Sequence, residues 1–422
     1  MHPALVCVAA TAVAALALIL TVIAWGSQES ASARGAGSRT AESPDASPGW
    51  TPFASHGGGS AAGRVRFVRN ARTDFDPFIL GADKSQRSFI RTHYWRLRGY
   101  PPTSDTALGW APPVHFYSDL YALYPSNSSD RGVIERHPDW ILRNAEGNPL
   151  YVPFECSDGT CAAYAADPGN PQWRAHWIRD AHRQLRKGYR GVFIDNVNLL
   201  MRVSDGDGTE IAPIDPRTGQ AMTELDWRGY VADFTRRIRR DLSRAEIVHN
   251  AIWFADQSDP AAWREIAAAD LIELERGFSE PALIDGDGSA YADLLAYVDL
   301  VHSRGTSVLL EPYDLDPSTR LFELASYFLV NAGRDAIASD YEADPGDWWP
   351  GWEAKLGAPL GPRYFQGAVL RRDFERGVAL VNPPGGAEQT VSLGGTYLDL
   401  EGVSAEQVTL GPGEGAVLVA AG

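Results

Sequence analysis

The chain has 422 residues, with 38 Lys and Arg against 54 Asp and Glu, a formal net charge of −16, and 13 Trp and 16 Tyr. So acidic a chain offers no electrostatic footprint for a nucleic-acid backbone, and no nucleic-acid partner is expected. The length accommodates one large domain and one small one.

From Ala4 to Trp25 the chain is apolar and free of charge, long enough to cross a bilayer. Residues 1–26 therefore read as a signal peptide or a membrane anchor. Ala31-Ser32-Ala33 is a small-residue cleavage site set some way past the apolar run, and cleavage against anchoring stays open. Residues 27–63, rich in Ser, Gly and Ala, form a flexible linker. The expected location is extracellular, either secreted or anchored to the outer face of the membrane, with the chain a monomer. Cysteine usage agrees: Cys7 falls in the apolar run, which leaves Cys156 and Cys161 around a four-residue turn as one local disulfide. Two thiols do not make a zinc site, and no His-x-His or His-Glu-x-x-His pattern is present, so neither metal nor another cofactor is expected.

Residues 64–360 carry the main domain. Arg64 to Phe78 has no clear type. Phe89, Ile90, His93, Tyr94 and Leu97 at helical spacing predict a helix over 85–97, and 114–120 reads as a strand. The polar stretch 124–164 is a long loop that holds the staple. Asp167 closes a short run before a helix with Asn170 as N-cap, Pro171 in its first turn and Trp173, Trp177, Ala181 and Leu185 on one stripe. That helix feeds the stretch Gly188 to Asn198, in which a glycine turn leads to the apolar run Val192-Phe193-Ile194 and then to Asp195. Four to eight apolar residues between turn signals suit a strand buried on both faces. Asp205-Gly-Asp-Gly208 and Asp285-Gly-Asp-Gly288 lack EF-hand spacing and read as turns. Helix and strand then alternate, with strands ending near Asn250, Glu275, Glu311 and Asp340.

The repeating β–α order implies a parallel sheet. Five consecutive strands ending in carboxylates or an amide place a ring of polar groups at one mouth, which favours a (β/α)8 TIM barrel over an open doubly wound sheet. No Gly-rich dinucleotide fingerprint follows an early strand. From residue 361 to 422, short strands between turns predict a small C-terminal antiparallel, β-sandwich-like domain.

Candidate acids at the mouth are Asp119, Asp167, Asp195, Glu273, Glu275, Glu311 and Asp340. Hydrolysis of a glycosidic bond needs two carboxyls in different protonation states. Crowding in a partly apolar mouth supplies that difference, because desolvation and like charge raise one pKa while another group stays ionised. Asp195 as nucleophile or base and Glu275 as general acid form the preferred pair. Glu275 lies nearer the strand's C-terminal end than Glu273, which also reads as a buried acid tied to an Arg or Tyr. Asp119, Asp167, Asn250, Glu311 and Asp340 are candidates for holding sugar hydroxyls. Trp348 and Trp349 could stack on sugar faces or, with Trp352, pack the end of the barrel. Gly-x-Ser-x-Gly is absent, so a serine esterase has no nucleophile elbow.

Gly191-Val-Phe-Ile-Asp-Asn-Val-Asn198 follows Asp167-Pro-Gly-Asn-Pro171, and His137-Pro-Asp-Trp-Ile-Leu, Glu275-Arg-Gly-Phe278 and Leu356-Gly-Ala-Pro-Leu-Gly361 accompany them. Together they resemble bacterial glycoside hydrolases of the hypothetical glycosyl hydrolase family fifteen type, distant kin of the endo-polygalactosaminidase barrels. The resemblance runs from about Arg87 to the C-terminus. It implies a TIM barrel, glycosidase activity retained or lost, and catalytic acids at Asp195 and Glu275. The substrate would be a polysaccharide or oligosaccharide. The rival reading is a catalytically silent barrel that binds extracellular glycan.

Overall fold

The computed structural model describes residues 59–421 except 73, 101, 102, 252–257, 285, 287, 314 and 315. The apolar segment, nearly all of the linker, and Asp285 and Asp287 of the second turn lie outside the described residues. Among those described, no helix is long and apolar enough to cross a membrane.

Eight parallel strands close into a barrel. They are β1 (Phe67–Ala71), β2 (Tyr94–Gly99), β3 (Val114–Asp119), β4 (Gly191–Asp195), β5 (Glu246–Asn250), β6 (Leu271–Glu275), β7 (Ser307–Glu311) and β8 (Ala336–Ala338). Closure joins β1 to β8, with Phe67 opposite Ile337 and Val68 opposite Ala338. Side chains alternate across each strand. Val68, Phe193, Val248, Leu271, Leu309, Ala336 and Ala338 fill the barrel, while Val192, Ile194, Ile247, Ile272 and Val308 pack outward against the helices. Gly191 is required where β4 starts, because a Cβ there would lie 1.9 Å from the carbonyl oxygen of Glu246 on β5.

The first two strands correct the sequence reading. The helix runs only from Lys84 to His93, and the chain enters β2 directly at Tyr94. A register shift between Phe67 and Val68 inserts an extra residue in β2, since Phe67 pairs with Tyr94 but Val68 pairs with Arg96. The bulge turns Tyr94 and Leu97 to the same outer face. Three-residue spacing in a strand thus imitates a helix.

Helices lock the strand ends that matter for function. In the helix Pro171–Leu185 the Asn170 side chain accepts from the backbone N–H groups of Gln172 and Trp173 at 2.9 and 3.2 Å, a cap worth about 1 kcal/mol. Its buried indoles reach back to the end of β3. Trp177 donates to the carbonyl of Asp119 at 2.8 Å and Trp173 to that of Leu120 at 3.2 Å. The loop after β3 is cross-linked by Cys156–Cys161, as expected.

The C-terminal region is one six-stranded antiparallel sheet: β9 (Tyr364–Gln366), β10 (Val369–Phe374), β11 (Gly377–Asn382), β12 (Gln389–Leu398), β13 (Ser404–Leu410) and β14 (Glu414–Ala420), in the order β9-β10-β11-β14-β12-β13. The sandwich-like expectation resolves into a sheet whose second layer is the barrel's last helix, Pro317–Val330. Gly415 permits that close approach, because a Cβ there would sit 2.8 Å from Cβ of Ala325 and 3.0 Å from Cα of Phe322. Arg372, 2 % exposed, donates from Nη1 to the carbonyls of Phe328, Leu329 and Asn331 at 3.0, 3.3 and 2.8 Å. It thereby satisfies the carbonyls that a helix C-terminus leaves open.

Candidate active site

Asp195 stands at the C-terminal end of β4, one pleat above Phe193 of the barrel core. The next residue, Asn196, has φ 58°, a left-handed conformation that Asn tolerates better than most residues. The turn aims the Asn196 N–H at Asp195 Oδ1 (2.9 Å) and its amide at Asp119 Oδ2 (2.6 Å). Asp195 also accepts from Tyr117 Oη at 2.7 Å and from Asn250 Nδ2 at 2.9 Å. Burial raises the Asp195 carboxyl above its ordinary range; the Tyr117 hydrogen bond draws it back and the charge of Glu275 pushes it up. Burial and the neighbouring Asp195 charge drive the Tyr117 phenol far up as well, so it stays a donor.

Glu275 ends β6 and is exposed at the mouth. Asn250 Nδ2 donates to its Oε2 at 3.2 Å, and Tyr313 Oη donates to its Oε1. One amide nitrogen therefore bridges the two acids singled out from the sequence. Two oxygens held by one nitrogen at these distances can lie no more than their sum, about 6 Å, apart. Arg276 and Gly277 follow in left-handed conformation, φ 67° and 54°. This sharp turn leaves Glu275 as the last residue of its strand, with Arg276 over the Tyr313 ring at 5.1 Å.

Beneath this pair lies a buried ionic layer that the sequence reading missed. Arg98, 1 % exposed, donates to both oxygens of Glu273 at 2.5 Å and to Glu311, while its guanidinium lies 4.2 Å from the Phe193 ring centre. Asn70 and Arg72 also bind Glu311, at 2.5 and 3.3 Å. Burial and the Glu311 charge raise Glu273 far above the carboxylate range. Glu311 is buried too, yet Arg98, Arg72 and Asn70 hold it at about 2. Glu273 is thus the acid tied to an arginine that the alternative reading described.

Asn250 and Asp340 remain at the mouth, Asp340 accepting from Arg69 and, at 2.9 Å, from Arg72. The oxygens of Glu311 are occupied by the layer just described. Asp119 is buried, accepting from the backbone N–H groups of Tyr121 and Ala122 at 2.9 and 2.6 Å, and burial with the Asp195 charge lifts it to about 7. Asp167 is buried in an ion pair with Arg217 at 2.9 Å and accepts from the N–H of Gly169. The oxygens of both carboxyls are engaged by these protein donors. Trp348 packs among Phe67, Phe89, His93 and Tyr94, and Trp349 against Trp352 and Arg320. These partners belong to the outer wall, so the two indoles pack the barrel's flank, the alternative that the sequence left open. Tyr117 and Tyr313 are aromatic groups of the mouth, with Tyr100 beside Tyr117. Tyr117 lies on β3 two residues before Asp119, and Tyr313 lies in the loop two residues after Glu311; that spacing was the readable signal for them. Among the described residues no group of three His, Cys, Asp or Glu side chains could hold a metal ion.

A closed parallel barrel with two acids bridged across its C-terminal mouth has the architecture of a TIM-barrel glycosidase. The profile of hypothetical glycosyl hydrolase family 15 matches residues 112–378, well over half the chain, and the chain belongs to that family. No curated protein matches it. Similar solved structures include ligand-free cyclic alpha-maltosyl-(1→6)-maltose hydrolase from Arthrobacter globiformis, 15 % identical over 86 % of this chain and 99 % of that one, with a TM-score of 0.48. They also include the glycoside hydrolase domain of PelA from Pseudomonas aeruginosa (14 %; 71 % and 97 %; 0.37) and the alpha-galactosidase TtGalA from Thermus thermophilus (12 %; 73 % and 65 %; 0.47).

Proposed function

We propose that the chain is an exported glycoside hydrolase that cleaves a polysaccharide with Asp195 and Glu275 and retains the anomeric configuration. The observation that carries this reading is the Asn250 amide, which donates to both carboxylates across an open mouth. Two carboxyl groups about 5–5.5 Å apart suit a double displacement, whereas an inverting site spaces them at about 6.5–9.5 Å to admit a water. Asp195, fed by three donors, is the nucleophile. Its carboxylate attacks the anomeric carbon while Glu275, at the solvent-facing rim, protonates the departing glycosidic oxygen. Water then attacks the glycosyl ester, and Glu275 takes that water's proton. Export is supported by the apolar segment near the N-terminus and by the Cys156–Cys161 bridge.

The test is proton NMR of the first product formed from whichever polysaccharide the protein cleaves. Retention of the substrate's anomeric configuration is expected. Release of the opposite anomer would overturn the spacing argument.

A further inference from the structure

The opposite end of the barrel holds a second concavity, about 270 Å³ in volume, where the loops entering the strands converge. Arg66 precedes β1, Arg190 precedes β4, Arg334 precedes β8, Arg239 lies in the last turn of the helix Glu224–Asp241, and Arg244 lies between that helix and β5. All five line the cavity, against two acids, Glu246 and Asp270. Both acids are already engaged. Glu246 binds Arg96 at 2.9 Å and His115 at 3.0 Å, with Arg190 only at 3.7 Å, and Asp270 binds Arg239 at 2.7 Å. Arg66, Arg244 and Arg334 have no carboxylate partner among the described residues. Arg66 instead lies over Trp95, 5.4 Å from its ring centre, and Trp95 lines the cavity as well. A local excess of three positive charges in a chain of net charge −16 calls for an anionic counterpart.

We infer that this cavity is a binding site for a phosphoryl group. A phosphate monoester carries about two negative charges and three strong acceptor oxygens, and guanidinium forks match those oxygens in pairs. The volume exceeds what a bare phosphate fills, which leaves room for an attached organic moiety. A free phosphorylated metabolite and the headgroup of an anionic phospholipid present the same chemistry. The site stands apart from the glycosidase reading, because none of its residues touches Asp195 or Glu275.

The test uses the full chain and the Arg244→Gln/Arg334→Gln variant, whose altered side chains are exposed. Binding of pyrophosphate and of glycerol 3-phosphate is measured by calorimetry at fixed ionic strength. Flotation is measured with vesicles of phosphatidylcholine, with and without phosphatidylglycerol. Saturable binding of either soluble phosphate, weakened about tenfold or more in the variant, supports the site and assigns it to a free ligand. Flotation only with phosphatidylglycerol vesicles, lost in the variant, supports it and assigns it to a lipid headgroup. Absence of both, or equal binding by wild type and variant, overturns the inference.

Discussion

Replacing Tyr117 by Phe removes one hydroxyl and keeps the ring, which sits 4.9 Å from Tyr100 and 5.9 Å from Phe193 between ring centres. The lost bond is the 2.7 Å donation to Asp195 Oδ2. A hydrogen bond to a charged acceptor contributes about 1.5–3 kcal/mol, and each pKa unit corresponds to about 1.4 kcal/mol. Tyr117 favours the ionised form of a carboxyl that burial already raises, so its removal raises Asp195 further, by about 1–2 units. A nucleophilic carboxylate must be ionised, and the acidic limb of the kcat/KM profile should therefore move to higher pH by that amount. The assay is a pH–rate profile of wild type and Tyr117→Phe on the same polysaccharide, with thermal denaturation alongside to show that the fold is kept. An acidic limb that stays in place while activity falls would refute the claim that Tyr117 acts through the Asp195 charge.

Arg98→Met should destabilise the barrel by about 3–5 kcal/mol in urea unfolding, because it strands the buried carboxyls of Glu273 and Glu311; a loss below about 1 kcal/mol would contradict the interior ion layer. Gly415→Val should cost about 1–3 kcal/mol by overpacking the seat of the C-terminal sheet on Ala325 and Phe322, and an unchanged melting temperature would count against that contact. His302 bonds Asp335 at 2.8 Å, and the Asp335 charge raises it despite burial. A raised histidine contributes stability that is complete below its unfolded pKa of about 6.5 and is lost as pH rises through the folded value. Melting temperature should therefore fall between neutral and alkaline pH more steeply in wild type than in His302→Gln, and parallel curves would contradict the pairing.

Much of the barrel was legible because local and tertiary signals agree. Asn170-Pro171 starts a helix by its own chemistry, and Val192-Phe193-Ile194 between turn signals suits a strand buried on both faces. Strands β1 and β2 were not legible. Arg69, Asn70 and Arg98 look like surface residues until the closed barrel pairs them with Asp340, Glu311 and Glu273, more than 170 positions away. At the mouth, Asp195 and Glu275 could be read as strand ends, and Asn250 as well. The bridge formed by its amide depends on the register of β4, β5 and β6, which no spacing in the sequence encodes. Trp348 and Trp349 could be read either way because an aromatic cluster has the same composition whether it faces a sugar or a helix.

The central claim is that Asp195 and Glu275 act on one glycosidic bond. Release of reducing ends from a panel of polysaccharides by wild type, Asp195→Asn and Glu275→Gln tests it most directly. The account predicts hydrolysis of at least one polymer by wild type and a drop of about 10²-fold or more in each variant. Variants as active as wild type would remove both residues from the chemistry, and a wild type that binds a polymer of the panel but releases nothing from any of them would make the barrel a glycan-binding module.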